Sequence, residues 1–197
     1  MIANIMPYHG THVGGLGGLS IPDIDADSKT LIDQAEDNGT EKNAATILAQ
    51  IGKNAFKDKQ FAEAFAYYSA AAGLGDFPDA EYNAARSLQE LSKASKAKGD
   101  LATAKEAATN ALAWFSAAVT TANLTKSLDT KADAEEQIEF MKSYISDLGK
   151  QDADGKKTLT EAEKAAAAAK DKDKDKGMGM GLVLGIGFIL YMLSRGK

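Results

Sequence analysis

Phe65-Ala-Tyr-Tyr-Ser-Ala-Ala-Ala72 returns downstream as Leu112-Ala-Trp-Phe-Ser-Ala-Ala-Val119. Each copy sets large apolar residues ahead of small ones, the composition of a helix pressed closely onto its neighbours. Upstream of the first copy, Ala44, Ile47, Leu48, Ile51 and Ala55 form an apolar stripe at helical spacing. Phe61, Ala64, Phe65, Tyr68 and Ala71 form another, and Asp58-Lys59 separates the two. Gly73 and Gly75 end the second helix of this hairpin. The next helix begins near Pro78, with Asp76 as its cap, and passes through Leu88 and Leu91 to a turn at Gly99-Asp100. Asp100 caps the returning helix, which reaches about Ala122. Two hairpins carrying one pattern predict an all-α chain, its antiparallel helix pairs stacked as a short solenoid.

The flanks extend the same architecture. Asp27 or Ser28 is expected to cap a short helix through Ala35, with Leu31 and Ile32 inward. Asn38-Gly39 makes a turn, and Thr40 caps the helix that follows. After the second hairpin, Ala134, Ile138, Met141, Ile145 and Leu148 share one face of a helix from about Lys131, which Gly149 should stop. Alanine dominates the composition, prolines number 3 and aromatics make up 7% of the residues, all consistent with helices.

Leu48, Ile51, Gly52, Ala64, Tyr68 and Ala71 fall on the large, Leu-Gly, small and aromatic positions of the tetratricopeptide repeat, and the first hairpin resembles that family. Ala55 occupies a place where an aromatic is usual. In the second hairpin Tyr82 and Ala85 fit, and Ala111, Phe115 and Ala118 fit after an insertion, but Arg86 replaces the glycine. The resemblance spans roughly residues 40–124. It implies a protein-interaction scaffold that holds ligands against exposed helix faces, and it names no ligand. Tyr67, Phe77 and Trp114 read as packing residues.

Gly177–Leu193, GMGMGLVLGIGFILYML, carries no charge, and its only polar side-chain atom is the Tyr191 hydroxyl. As a helix it reaches roughly 25 Å, close to the ~30 Å hydrocarbon core of a bilayer. Lysines and aspartates alternate before it from Lys170 to Lys176, and Arg195 and Lys197 follow it. These features predict a single transmembrane helix. Gly177, Gly181 and Gly185 recur every fourth residue and offer a smooth face for helix packing or self-association in the membrane. The N-terminus lacks a basic start and a continuous apolar run, so no signal peptide is expected. The chain therefore reads as tail-anchored, with its bulk on the cytoplasmic or virion-interior side.

Residues 1–26 form a glycine-rich arm in which Pro7, Gly10, Gly14, Gly15, Gly17 and Gly18 oppose a helix. Ile5, Tyr8, Val13, Leu16 and Leu19 are too apolar for a free linker and suggest an extended strap on a neighbouring surface. His9 and His12 lack the carboxylate or thiolate partners that a metal site requires.

The expected organisation is an arm at 1–26, a helical-repeat domain at 27–149, a charged helical linker at 150–176, a membrane helix at 177–194 and a basic tail at 195–197. Within the linker, Asp152, Asp154, Gly155 and Glu161 match a calcium loop only in part, because Lys150 and Lys157 occupy ligand and apolar positions. A turn at Asp154-Gly155 and a capping box from Thr158 to Glu161 account for the segment better. No phosphate-binding glycine loop follows a strand, no catalytic triad assembles, and Glu135, Glu136 and Glu139 sit on a polar helix face. The absence of cysteine removes disulfides, thiolate sites and cysteine nucleophiles. A net charge of −5 and the lack of a basic patch argue against nucleic acid. The expectation is a non-enzymatic scaffold or structural subunit, without cofactor or metal, whose partners are a lipid bilayer and other proteins of a membrane complex or membrane-containing virion. Two other readings of the membrane segment are a pore or lysis factor assembled through its glycines and a C-terminal sorting signal.

Overall fold

The computed structural model describes residues 19–174. Among them are six helices and no strand: α1 (Ala26–Asn38), α2 (Glu41–Lys57), α3 (Phe61–Gly73), α4 (Pro78–Ala97), α5 (Leu101–Thr125) and α6 (Leu128–Lys174). The fold is all-α. Residues 1–18, with most of the arm, and the expected membrane helix at 177–194 lie outside the described residues. No described helix is long and apolar enough to cross a membrane.

Turns of a few residues join each helix to the next, and left-handed backbone makes the reversals at Gly39 (φ 65°), Lys59 (φ 60°), Gly99 (φ 79°) and Lys126 (φ 62°). Side-chain pairings give the directions. Tyr82 and Ser92 of α4 meet Phe115 and Ala104 of α5 in descending order, so the two helices are antiparallel. Asp79, Gln89 and Lys96 of α4 meet Thr130, Gln137 and Tyr144 of α6 in ascending order, so those two are parallel. Arg86 of α4 lies over Phe56 of α2, and Ala80 lines a hollow with Ala45, again in ascending order. The result is two layers. One holds α2, α4 and α6 side by side; the other holds α3 and α5, with Ile24 and Ile32 packing beside α3.

The core between the layers is built largely from alanine. Ala104, Ala107, Ala108, Ala111 and Ala118 of α5 are all fully buried, as are Ala64 and Ala71 of α3. Aromatic rings fill the remaining space edge-on: Phe65 against Trp114 at 5.7 Å and Tyr82 against Phe115 at 5.5 Å between centroids. Small side chains let backbones approach, and Ser92 Oγ donates a buried 2.6 Å hydrogen bond directly to the carbonyl of Ala104.

Several local expectations need correction. α1 is capped by Asp25 rather than Asp27 or Ser28, its carboxylate accepting from the Ser28 amide at 2.7 Å, and the helix runs on to Asn38. Thr40 precedes α2 without making a side-chain cap bond. Phe77, not Asp76, precedes α4, where Pro78 needs no amide partner. α5 continues to Thr125, and α6 starts at Leu128. Ile47 belongs to the apolar stripe of α2 but is 47% exposed, because none of the described residues covers that edge of the helix.

The largest correction concerns Gly149, which does not end a helix. α6 runs unbroken for 47 residues through Gly149, Asp154-Gly155 and Thr158. A glycine in a helix interior costs about 1 kcal/mol against alanine. No proline follows to enforce a stop, so the alanine- and lysine-rich sequence beyond it propagates the helix. The helix therefore crosses the expected 149/150 boundary. Among the side chains described, Leu148 is the last on α6 to be fully buried, one turn beyond Tyr144, which meets Lys96 of α4. The 149–174 portion continues for roughly 39 Å.

Two helical glycines predict opposite responses to one substitution. A Cβ on Gly52 would meet the Tyr68 ring at 3.2 Å and the Ala64 carbonyl at 3.3 Å, whereas a Cβ on Gly149 meets nothing within 4 Å. Gly149→Ala should stabilise the domain by up to about 1 kcal/mol through helix propensity. In Gly52→Ala the overpacking outweighs that gain, for a net loss of about 1 kcal/mol. Denaturant midpoints of the two variants should move in opposite directions.

Candidate interaction face

The layer of α2, α4 and α6 carries a hollow and three cation–aromatic pairs. A hollow of about 320 Å³ opens between α2 and α4. Its floor is Ala45, Ala49, Ala80 and Tyr68; its walls are Thr46, Gln50 and Lys53 on α2 and Phe77, Asp79 and Asn83 on α4. Small residues on the floor create the depression. Gly52 lets Tyr68 lie flat beneath it, since any side chain there would press on the ring. Burial lifts the Tyr68 hydroxyl above its ordinary range, and the nearby Arg86 charge opposes that shift.

Farther along the same layer, cations stand over aromatic rings. Arg86 lies 5.2 Å from the Phe56 centroid, Lys93 5.7 Å from Phe140 and Lys96 5.2 Å from Tyr144. Phe140 and Tyr144 stack at 5.9 Å, one turn apart on α6, and Phe140 is 44% exposed. Lys93 also pairs with Glu90 at 2.6 Å. The apolar floor and aromatic faces suit apolar side chains, Gln50 and Asn83 offer polar groups, and the cations suit carboxylates. They offer no nucleophile beside a base. Among the described residues no group of three or more His, Asp or Glu is placed to hold a metal ion.

The repeat-pattern residues lie beneath this face. Leu48, Ala64, Ala71, Ala111, Phe115 and Ala118 are fully buried, Tyr68 and Gly52 are buried, and Ile51 is half-buried beside the Ile24 cluster. Tyr67 is buried and donates its hydroxyl to Asp25, while Trp114 and Phe77 are half-buried. Leu19 is buried against this chain's own core cluster. Ile5, Tyr8, Val13 and Leu16, with His9, His12, Gly177, Gly181 and Gly185, lie outside the described residues. The cation–aromatic pairs escaped sequence reasoning because each joins distant helices.

Among the described residues Glu81 is the carboxyl held above its ordinary range. Burial between α4 and α5 raises it, a hydrogen bond with Thr121 partly offsets the rise, and Asp76 adds to it. Its Oε2 is buried without a partner. The group lies away from the hollow and destabilises the fold when ionised. Because the folded-state value is raised, this cost is absent below the ordinary value of 4.5, grows as pH rises from there to the folded value, and is fully present above it. Glu81→Gln should therefore raise stability at pH 7 by about 1 kcal/mol or less, partial exposure screening the rest. Denaturant titrations should show the advantage fading as pH is lowered toward 4.5. No known family model, curated protein or solved structure matches the chain.

Proposed function

We propose that the chain is a non-enzymatic, membrane-anchored scaffold. In this reading the layered helix pairs are a short solenoid of the tetratricopeptide type, and residues 177–194 are a single transmembrane helix that tethers it. The observation that carries the reading is the parallel row of α2, α4 and α6, with its shallow hollow and exposed cation–aromatic pairs. Such a face suits a polypeptide segment of a partner and lacks reactive groups. α6 adds support, because it continues as one helix from Leu128 to Lys174, next to the apolar stretch, as a stalk between scaffold and bilayer would. The partners are other proteins of one assembly, a membrane complex or a membrane-containing virion, with the body on the cytoplasmic or interior side. Gly177, Gly181 and Gly185 give the membrane helix a packing face toward a second span or a second copy.

Two measurements test the reading. The full chain should sediment with membranes and resist alkaline extraction, whereas a chain ending at Lys176 should stay in the supernatant; an intact chain that remains soluble without detergent contradicts the anchor. Crosslinking in native membranes should recover one stoichiometric assembly. Gln50→Arg with Lys53→Glu, both exposed on the hollow's wall, should cut that recovery at least tenfold (about 1.4 kcal/mol) with helical content unchanged. Unaltered recovery would remove the hollow as the docking site.

A further inference from the structure

The hollow between α2 and α4 has unlike ends. Because the two helices run parallel, rising residue numbers on both lead away from it in one direction. On that side stand cations: Lys53 on the hollow's wall, Arg86 one turn beyond Asn83, then Lys93 and Lys96. Carboxylates gather toward the other side. Asp79 on the wall accepts the Thr130 hydroxyl, and the Asp133 and Glu136 charges on α6 help to raise the Tyr82 hydroxyl, whose burial raises it most. A chain of net charge −5 thus sets a line of cations beside an apolar depression.

Most of these cations are not neutralised from within. Lys93 pairs with Glu90, but among the described residues no carboxylate pairs with Lys53, Arg86 or Lys96. The Tyr68 and Tyr82 hydroxyls feel the Arg86 charge, yet burial raises both, so neither offers it an anion. The rings of Phe56, Phe140 and Tyr144 hold Arg86, Lys93 and Lys96 in place, and a ring face balances only a small part of a full charge. Lys53 and Arg86 are exposed and Lys96 is half-buried, so all three can reach an incoming group.

We propose that the hollow and its cationic side bind an acidic segment of the partner protein, with an apolar side chain on the alanine floor and carboxylates against Arg86, Lys93 and Lys96. The inference rests on docking at the hollow and adds the partner's chemistry. Helix rise sets the spacing. Arg86 lies ~9 Å beyond Ala80 along α4, and Lys93 and Lys96 lie ~10 and ~15 Å beyond Arg86. An extended chain advances ~3.3 Å per residue, so carboxylates about three, six and eight residues past the apolar anchor meet them in turn. Asp79 repels carboxylates on the other side of the anchor, so the acidic residues of the segment lie to one side. An uninterrupted polyanion such as nucleic acid would have to cross Asp79 and leave the alanine floor unfilled.

Labelled peptides with one leucine and three glutamates at this spacing, made in both chain directions, test the proposal by titration into the full chain in mild detergent at low salt. In one direction the glutamate peptide should bind about fivefold tighter than its glutamine counterpart, roughly the sum of two or three exposed ion pairs. Added salt should erase the preference. Arg86→Gln with Lys96→Gln should abolish it and leave the glutamine peptide's binding unchanged. Ala49→Leu fills the hollow and should weaken both peptides about fivefold, with helical content unchanged in both variants. Equal binding of the glutamate and glutamine peptides overturns the inference while leaving the hollow as a docking site. Undiminished binding to Ala49→Leu, or no binding by either peptide, overturns the docking at the hollow as well. A single-stranded oligonucleotide that displaces the glutamate peptide at equal concentration overturns the inference in favour of a nucleic-acid partner.

Discussion

Close approach of helix backbones along the alanine seam of α5 is the constraint on which the rest of the structure depends. Five alanines on this helix are fully buried, and the Ser92 hydroxyl reaches straight to the Ala104 carbonyl at 2.6 Å. Larger residues would hold α4 and α6 off, because protein interiors have no slack to absorb extra methylenes. With the seam closed, Phe65, Trp114, Tyr82 and Phe115 can meet edge-on between helices instead of bridging a gap. Alanine contributes little hydrophobic area per residue, so stability comes from many tight contacts and from helix propensity together.

The seam also determines what remains outside. Because α5 is flanked closely by α4 and α6, those two run parallel, and α2 joins them on the other edge of α4. One layer therefore gathers the hollow, Lys53, Arg86, Lys93 and Lys96, and the partly exposed rings of Phe140 and Tyr144. The helix that closes the core is also the one that continues to Lys174. Fold and proposed tethering share a single element. A change in the register of α6 on α5 would alter both the proposed docking face and the proposed stalk.

Much of this was legible in the sequence, for identifiable reasons. The bounds of α3, Phe61–Gly73, and the capping of α5 by Asp100 follow from local turn chemistry. Burial of Leu48, Ala64, Tyr68, Phe115 and Ala118 follows from helical periodicity, which governs any helix with neighbours on one side. Failures came where local rules were finely balanced or where tertiary contacts decided. Gly149 is a weak stop that costs only about 1 kcal/mol, and the flanking sequence overrides it. Asp25 rather than Asp27 caps α1 because it also accepts from Tyr67 on another helix. Gln89–Gln137 and Lys96–Tyr144 depend on the register between α4 and α6, which no local pattern encodes. The hollow was equally invisible, because alanines at Ala45, Ala49 and Ala80 read as ordinary core until their neighbours leave a gap above them.

In the proposed function, one unbroken helix carries the α-helical body at a fixed distance from a membrane. Neutron reflectometry of the full chain on a supported phospholipid bilayer measures that distance directly. The account predicts a protein-dense layer separated from the headgroups by a solvent-rich gap of about 40 Å, the length of α6 beyond the body. Protein density flush against the headgroups, or no bound layer at all, would contradict it.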